Sequence, residues 1–137
     1  MSDRAADVDD VAGGRLPDGD DDSTDRLARL AARTADEKKA EDIIVLQVGD
    51  VLGITEYFVI ASASNVRLVR TVADEIEAAI KSGLGRPPVR VEGQREAQWV
   101  LIDYGDVVVH VFHDETREFY GIERLYGDVG RLDWRAA

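Results

Sequence analysis

The sequence predicts one α/β domain, a two-layer or three-layer sandwich built on a mixed five-stranded sheet in the order α-β-β-α-β-β-β-α. Three observations predict it. Short β-branched runs such as "DIIVLQV", "EYFVIAS" and "DVVVHVFH" are bounded by glycine or polar clusters, as strands are. Two longer stretches, from residue 23 and from residue 64, repeat apolar side chains at helical spacing. The two kinds of segment interleave instead of segregating, which is the pattern of an α/β chain. The 137 residues suffice for a single core that buries roughly two-thirds of the unfolded surface.

The elements follow in order. Residues 1–22 hold no aromatics, few large apolar side chains and many Asp and Gly, so they cannot offset chain entropy and read as a disordered acidic tail. The cluster "DGDDD" lacks the spaced ligands and closing Glu of a calcium loop. A helix starts at residue 23, capped by Ser23, Thr24 or Asp25. Its apolar stripe is Leu27, Leu30, Ala31, Thr34 and Ala35, and it ends near Lys38 and Lys39, where cations suit the negative end. Residues 42–48 form a strand apolar enough to be covered on both faces. A glycine-bearing loop, "GDVLGIT", leads to the second strand, residues 56–62.

Ser64 is placed to cap the central helix, whose stripe is Val66, Val69, Val72, Ala73, Ile76 and Ile80. Gly83 sits where a C-terminal glycine belongs, and "GRPP" forbids continuation. Three strands follow, "VRVEG", "QWVLIDY" and "DVVVHVFH". Hairpin neighbours should run antiparallel, and the pair spanning the central helix can run parallel. A helix over "DETREFYGIERLY", with Phe119, Ile122 and Tyr126 on one side, closes the domain at residue 127. Residues 128–137 are expected to be a C-terminal tail.

Charge and composition narrow the function. The net charge is −11, and residues 1–25, with nine aspartates and two arginines, carry −7 of it. The folded part is mildly acidic. Gripping nucleic acid through phosphates needs clustered Lys and Arg, so little direct RNA contact is expected. Docking on a basic protein fits. The absence of cysteine removes disulfides and thiolate chemistry. No run approaches the ~18 apolar residues of a membrane span. With no secretory pattern at the N-terminus, a cytoplasmic protein is expected.

The stretch "LIDYGDVVVHVFHDETREFY" concentrates the chemistry. His110 and His113 are three apart on a strand, so their imidazoles point to opposite faces and do not share an ion. Asp103 and Asp106 bracket Tyr104-Gly105, which suggests a two-residue hairpin turn with the aspartates facing each other. Three readings stay open: plain turn chemistry, neutralisation by a cationic partner, or a shared-proton acid pair. Phosphate loops, dinucleotide loops, the nucleophile elbow and the HExxH zinc motif are missing. "SASNVR" stands at a strand-to-helix junction but lacks the glycines of an anion loop, and helix capping explains it. Trp99, Leu101 and Asp103 alternate onto one face; each aromatic here alone suits a core position, and Trp99 with Arg117 and Tyr120 near the hairpin acids suits an interface anchor.

The segments "KKAEDIIVLQV", "ITEYFVIASAS" followed by Arg, "VEG", "WVLIDYGDVVVHVF", Arg117 with Phe119-Tyr120, and Glu123 with Leu125-Tyr126 occur in an order that resembles the ribosomal silencing factor S family, also called Iojap-like proteins. The resemblance spans residues 38–126. It implies a nucleotidyltransferase-like sandwich without the catalytic residues of active transferases, hence no enzyme and no cofactor. It also implies a translational repressor that binds the large ribosomal subunit through the universal large-subunit ribosomal protein number fourteen. Members block joining of the small subunit, notably when nutrients are scarce, and form homodimers when free. Carried over by motif position, the partner-binding residues are Trp99, Asp103, Tyr104, Asp106, Glu115, Arg117 and Tyr120. Arg117 has a second reading, in which it organises acids within its own chain. The chain departs from the family pattern at Glu56, Ala63 and Tyr126, which keep charge, small size and aromatic character. The alternative is a metal-dependent nucleotidyltransferase-like enzyme using Asp103 and Asp106.

Overall fold

The computed structural model describes residues 17–136. The elements are α1 (Pro17–Glu37), β1 (Glu41–Gln47), α2 (Gly49–Leu52), β2 (Tyr57–Ala63), α3 (Val66–Leu84), β3 (Arg90–Glu92), β4 (Trp99–Asp103), β5 (Val107–His113), α4 (Asp114–Tyr120) and α5 (Ile122–Leu125). One five-stranded sheet takes the order β1-β2-β5-β4-β3. β2 and β5, on either side of the α3 excursion, are parallel, and the other three pairs are antiparallel. The expected mixed α/β sandwich is therefore the observed fold, with two short helices added.

Strand alternation divides the core. On one face Leu27, Ala28, Ala31 and Ala35 of α1 and Val69, Val72, Ile76 and Ile80 of α3 bury Val45, Val59, Val100, Ile102, Val107, Val109 and Val111. The opposite face holds a smaller cluster of Leu46, Val48, Ile60 and Phe112, with Ile44, Phe58, Trp99, Ile122, Tyr126 and Val129 packed against it. The first six residues of β5 are all buried because it is the central strand. β1 differs from its expectation of cover on both faces. It is an outer strand whose first two residues are exposed, and burial is reached only at Val45 and Leu46.

Several ends move relative to the sequence pattern. α1 starts at Pro17, a residue suited to a first helical turn, so Ser23, Thr24 and Asp25 lie inside the helix and do not cap it. α3 is capped by Asn65, whose Oδ1 accepts from the Leu68 amide at 2.8 Å, and not by Ser64. It runs through Gly83 and stops at Gly85, which takes the left-handed conformation at φ 66°. The closing helix is two, because Gly121 at φ 53° turns the chain between α4 and α5. That break leaves Phe119 78% exposed, while Ile122 and Tyr126 pack on the sheet.

The expected domain end at residue 127 does not mark the end of the packed chain. The Gln47 amide donates to the Gly130 carbonyl and the Leu132 amide to that of Val45, so the C-terminal segment lies along the outer edge of β1. Trp134 is buried and donates Nε1–H to the Ile43 carbonyl at 3.2 Å. Arg29 and Arg33 of α1 donate to the Ala136 carbonyl. An uncovered strand edge invites pairing with other chains, and this segment covers it. Of the expected acidic tail, residues 1–16 lie outside the described residues, and residues 17–22 belong to α1.

Candidate docking surface

The hairpin between β4 and β5 decides where its two aspartates go. Asp103 pairs with Val108, and the Tyr104 amide donates to the Val107 carbonyl at 2.9 Å. The two central residues are thus Gly105 and Asp106, one position later than the spacing suggested. Gly105, at φ 90°, supplies the positive φ that a II′-type turn needs at its first central position. A one-residue shift reverses which face a side chain meets. The aspartates therefore do not oppose each other.

Asp103 stays on the face away from α1 and α3. Its Oδ1 accepts from the Gly105 amide at 2.8 Å, and its Oδ2 lies 3.3 Å from Arg90 Nε. Asp106 turns to the helix side, where its carboxylate accepts from Arg86 Nη1 at 3.0 Å, Arg86 Nη2 at 2.9 Å and Thr24 Oγ1 at 2.7 Å. Burial raises the Asp106 pKa, but the Arg86 and Thr24 hydrogen bonds and the Arg86 charge outweigh it and hold it below 3.8. Asp106 is a clamp joining the hairpin to α1 and to the loop after α3. Nearly a third of the side chain is exposed beside this internal pairing.

Two more expected contacts move inside. Tyr104 is 2% exposed and packs in the helix-side core, because Val100, Ile102 and Tyr104 share that face of β4. Burial, then the Glu77 charge, push its hydroxyl up to about 12 against the pull of Arg86. Arg117 is 8% exposed, with Nε 3.1 Å from Glu123 Oε2 and Nη1 3.1 Å from Ser62 Oγ. It ties α4 to β2 and α5, so it acts within its own chain, and through Glu123 instead of the aspartates.

Of the remaining candidates, Trp99 and Tyr120 meet on the other face. Trp99 has its ring centroid 4.7 Å from Phe112 and 5.1 Å from Tyr120, and its Nε1–H donates to His110 Nδ1 at 3.1 Å. Tyr120 is 54% exposed, and Glu115 is exposed on the same helix, α4. A hollow of about 350 Å³ is lined by Trp99 and Tyr120 with Gly93, Glu96, Gln98 and Thr116. Asp103 stands two residues along β4 from Leu101 and four from Trp99, on the same face.

His110 is 4% exposed, and its ring meets the edge of Phe58 at 4.7 Å. Burial lowers its pKa to about 4, against the opposing pull of Asp103, so it is neutral at neutral pH. Accepting at Nδ1 places its proton on Nε2. The sequence separated His110 from His113 by strand parity but did not name a partner for either. Parity put His110 beside Phe112, while the neighbourhood of Trp99 depended on strand register. Phe58, Arg90 and Phe119 were missed for the same reason, since each reaches this face through pairing or a helix break.

Among the described residues no group of three or more His, Cys, Asp or Glu could hold a metal ion. Asp103 and Asp106 lie on opposite sides of the sheet, so they cannot share one ion as the enzyme alternative requires. No helix among the described residues is long and apolar enough to cross a membrane. What the fold offers is a sheet face left partly open by its helices, carrying a half-exposed aromatic cluster with acids at its edge. That is a protein of the surface-presenting kind.

The comparisons place the class more closely. Residues 21–136 match the family described as "Ribosomal silencing factor during starvation". The chain is 39% identical over 111 residues to the ribosomal silencing factor RsfS of Halalkalibacterium halodurans, covering 81% of this chain and 94% of that one. It is 39% identical over 108 residues to the protein of that name from Bacillus subtilis, covering 78% and 90%. A crystal structure of a Chromobacterium violaceum protein superposes with a TM-score of 0.72 at 32% identity, over 74% of this chain and 84% of that chain. The chain belongs to the ribosomal silencing factor family.

Proposed function

We propose that the protein represses translation by docking on the large ribosomal subunit, through the universal large-subunit ribosomal protein number fourteen, and obstructing the small subunit. The observation that carries this reading is the Trp99–Tyr120 cluster with Asp103 on the same open face. Trp99 and Tyr120 are the anchors, because large aromatic side chains supply most of an interface's energy. Asp103 and Glu115 meet Lys or Arg of the partner at the rim. Asp106, Tyr104 and Arg117 support the surface from within.

Charge supports a protein partner over RNA. A chain of net charge −11 is repelled by a polyanion and holds to a ribosome through a basic protein patch. Such a role belongs in the cytoplasm. With Phe119 and Tyr120 this exposed, a homodimer of the free protein is part of the same reading.

The test is cosedimentation of purified protein with isolated large and small subunits, with a subunit-joining assay alongside. Wild type should bind the large subunit only and prevent joining. Trp99→Ala should weaken binding by about 2 kcal/mol or more, and Asp103→Lys by less, as befits an anchor and a rim charge. Wild type that binds neither subunit, or binds without affecting joining, refutes the proposal.

A further inference from the structure

We infer that His110 is a positioning residue for docking: by accepting the Trp99 indole hydrogen bond it holds that side chain in the orientation in which the open face receives its partner. The inference rests on the docking reading above and adds to it a residue that no partner touches.

The geometry carries it. Trp99 lies against Phe112 at an interplanar angle of 30° and against Tyr120 at 49°, so neither ring is stacked on it and neither contact dictates one orientation. Tyr120 is itself more than half exposed. The directional contact is the 3.1 Å bond from Trp99 Nε1–H to His110 Nδ1. Its acceptor is rigid. His110 sits on the central strand, 4% exposed, with its ring 4.7 Å from Phe58 and nearly parallel to Phe112 at 6.2 Å. A partly exposed side chain is thus fastened to a buried one on the central strand.

The same arrangement is a poor way to obtain stability. With Nδ1 accepting, Nε2 carries the proton, and among the described residues this buried atom has no hydrogen-bond partner. An apolar residue of similar size would leave no such group unpaired. What the imidazole supplies and an apolar side chain cannot is an acceptor beneath Trp99. An anchor ordered before contact loses less rotamer freedom on binding, which is how preorganisation raises affinity.

The test uses the full chain and isolated large subunits. The sequence contains two tryptophans, so an ¹⁵N-labelled protein gives two indole signals. Trp134, bonded to the Ile43 carbonyl, serves as the internal reference. His110→Leu removes the acceptor, and His110→Asn keeps one near the position of Nδ1. His110→Leu should shift the Trp99 indole signal and speed its hydrogen exchange while leaving that of Trp134 in place. Binding to large subunits should weaken about five-fold, the size expected for one hydrogen bond that orders one side chain. His110→Asn should restore both readouts. Trp99→Phe, which keeps a ring and removes the donor, probes the bond without disturbing the buried position. Its loss and that of His110→Leu should not add in the double variant. An unchanged Trp99 indole signal in folded His110→Leu, or additive losses in the double variant, overturns the inference. Wild type that binds no large subunit overturns the docking reading and the functional half with it, and the indole signals then still decide whether His110 holds Trp99.

Discussion

Removing the imidazole of His110 should make the fold less sensitive to mild acid. In the folded chain burial holds this group down to about 4, while in the unfolded chain it titrates near 6.5. Above 6.5 neither state binds the proton and the group adds no pH dependence. As pH falls from 6.5 toward 4 the unfolded state takes up the proton first, so stability is lost on acidification. At pH 5 the loss relative to pH 7.5 is about 2 kcal/mol, from roughly 1.4 kcal/mol per unit of differential titration. His110→Leu cannot take up this proton in either state. Urea unfolding of both proteins at pH 7.5, 6.5, 5.5 and 5.0 gives the difference directly, because carboxylates common to both cancel. The stability of wild type minus that of His110→Leu should fall by about 2 kcal/mol across this range. A difference that stays flat, or that grows in favour of wild type on acidification, refutes the burial argument.

Other substitutions probe the ties behind the open face. Asp106→Ala should cost about 1–2 kcal/mol in urea unfolding at pH 7, a value discounted because nearly a third of the ion pair is exposed. Its pKa is depressed, so the wild-type advantage should be present above pH 3.8 and vanish as pH falls through the folded value. Arg117→Met should destabilise by about 3 kcal/mol, since it leaves the partly buried Glu123 carboxylate without its cation and removes the donor to the buried Ser62 oxygen. Hydrogen exchange across residues 114–125 should then rise more than in α3. Trp134→Ala should cost about 3 kcal/mol by opening a cavity between β1 and α1, read as a lower urea midpoint with unchanged slope.

Legibility followed the range of the interaction. The α3 stripe of Val69, Val72, Ala73, Ile76 and Ile80 was plain because helical spacing is a local property, and all five are buried. Alternation along β4 and β5 separated Trp99, Leu101 and Asp103 from Val100, Ile102 and Tyr104. That same alternation already argued for Tyr104 inside, against the motif that set it among the partner contacts. The break at Gly121 lay in plain view as one glycine within a helical pattern, but a glycine there is compatible with either a helix or a turn.

By itself the sequence determined the mixed α/β order, the helix stripes, the two faces of each central strand, the acidic balance and the family. Each depends on side-chain type at fixed short spacing, or on a motif held in linear order. Only the tertiary structure decided that the turn falls at Gly105-Asp106, that Arg86 and Thr24 reach Asp106, that Arg117 joins Glu123 and Ser62, that Trp134 bonds the Ile43 carbonyl, and that His110 meets Trp99. The side-chain contacts among these join residues from 6 to 91 positions apart. Their geometry depends on strand register and on how a turn closes, and a shift of one residue would have sent each strand side chain to the opposite face.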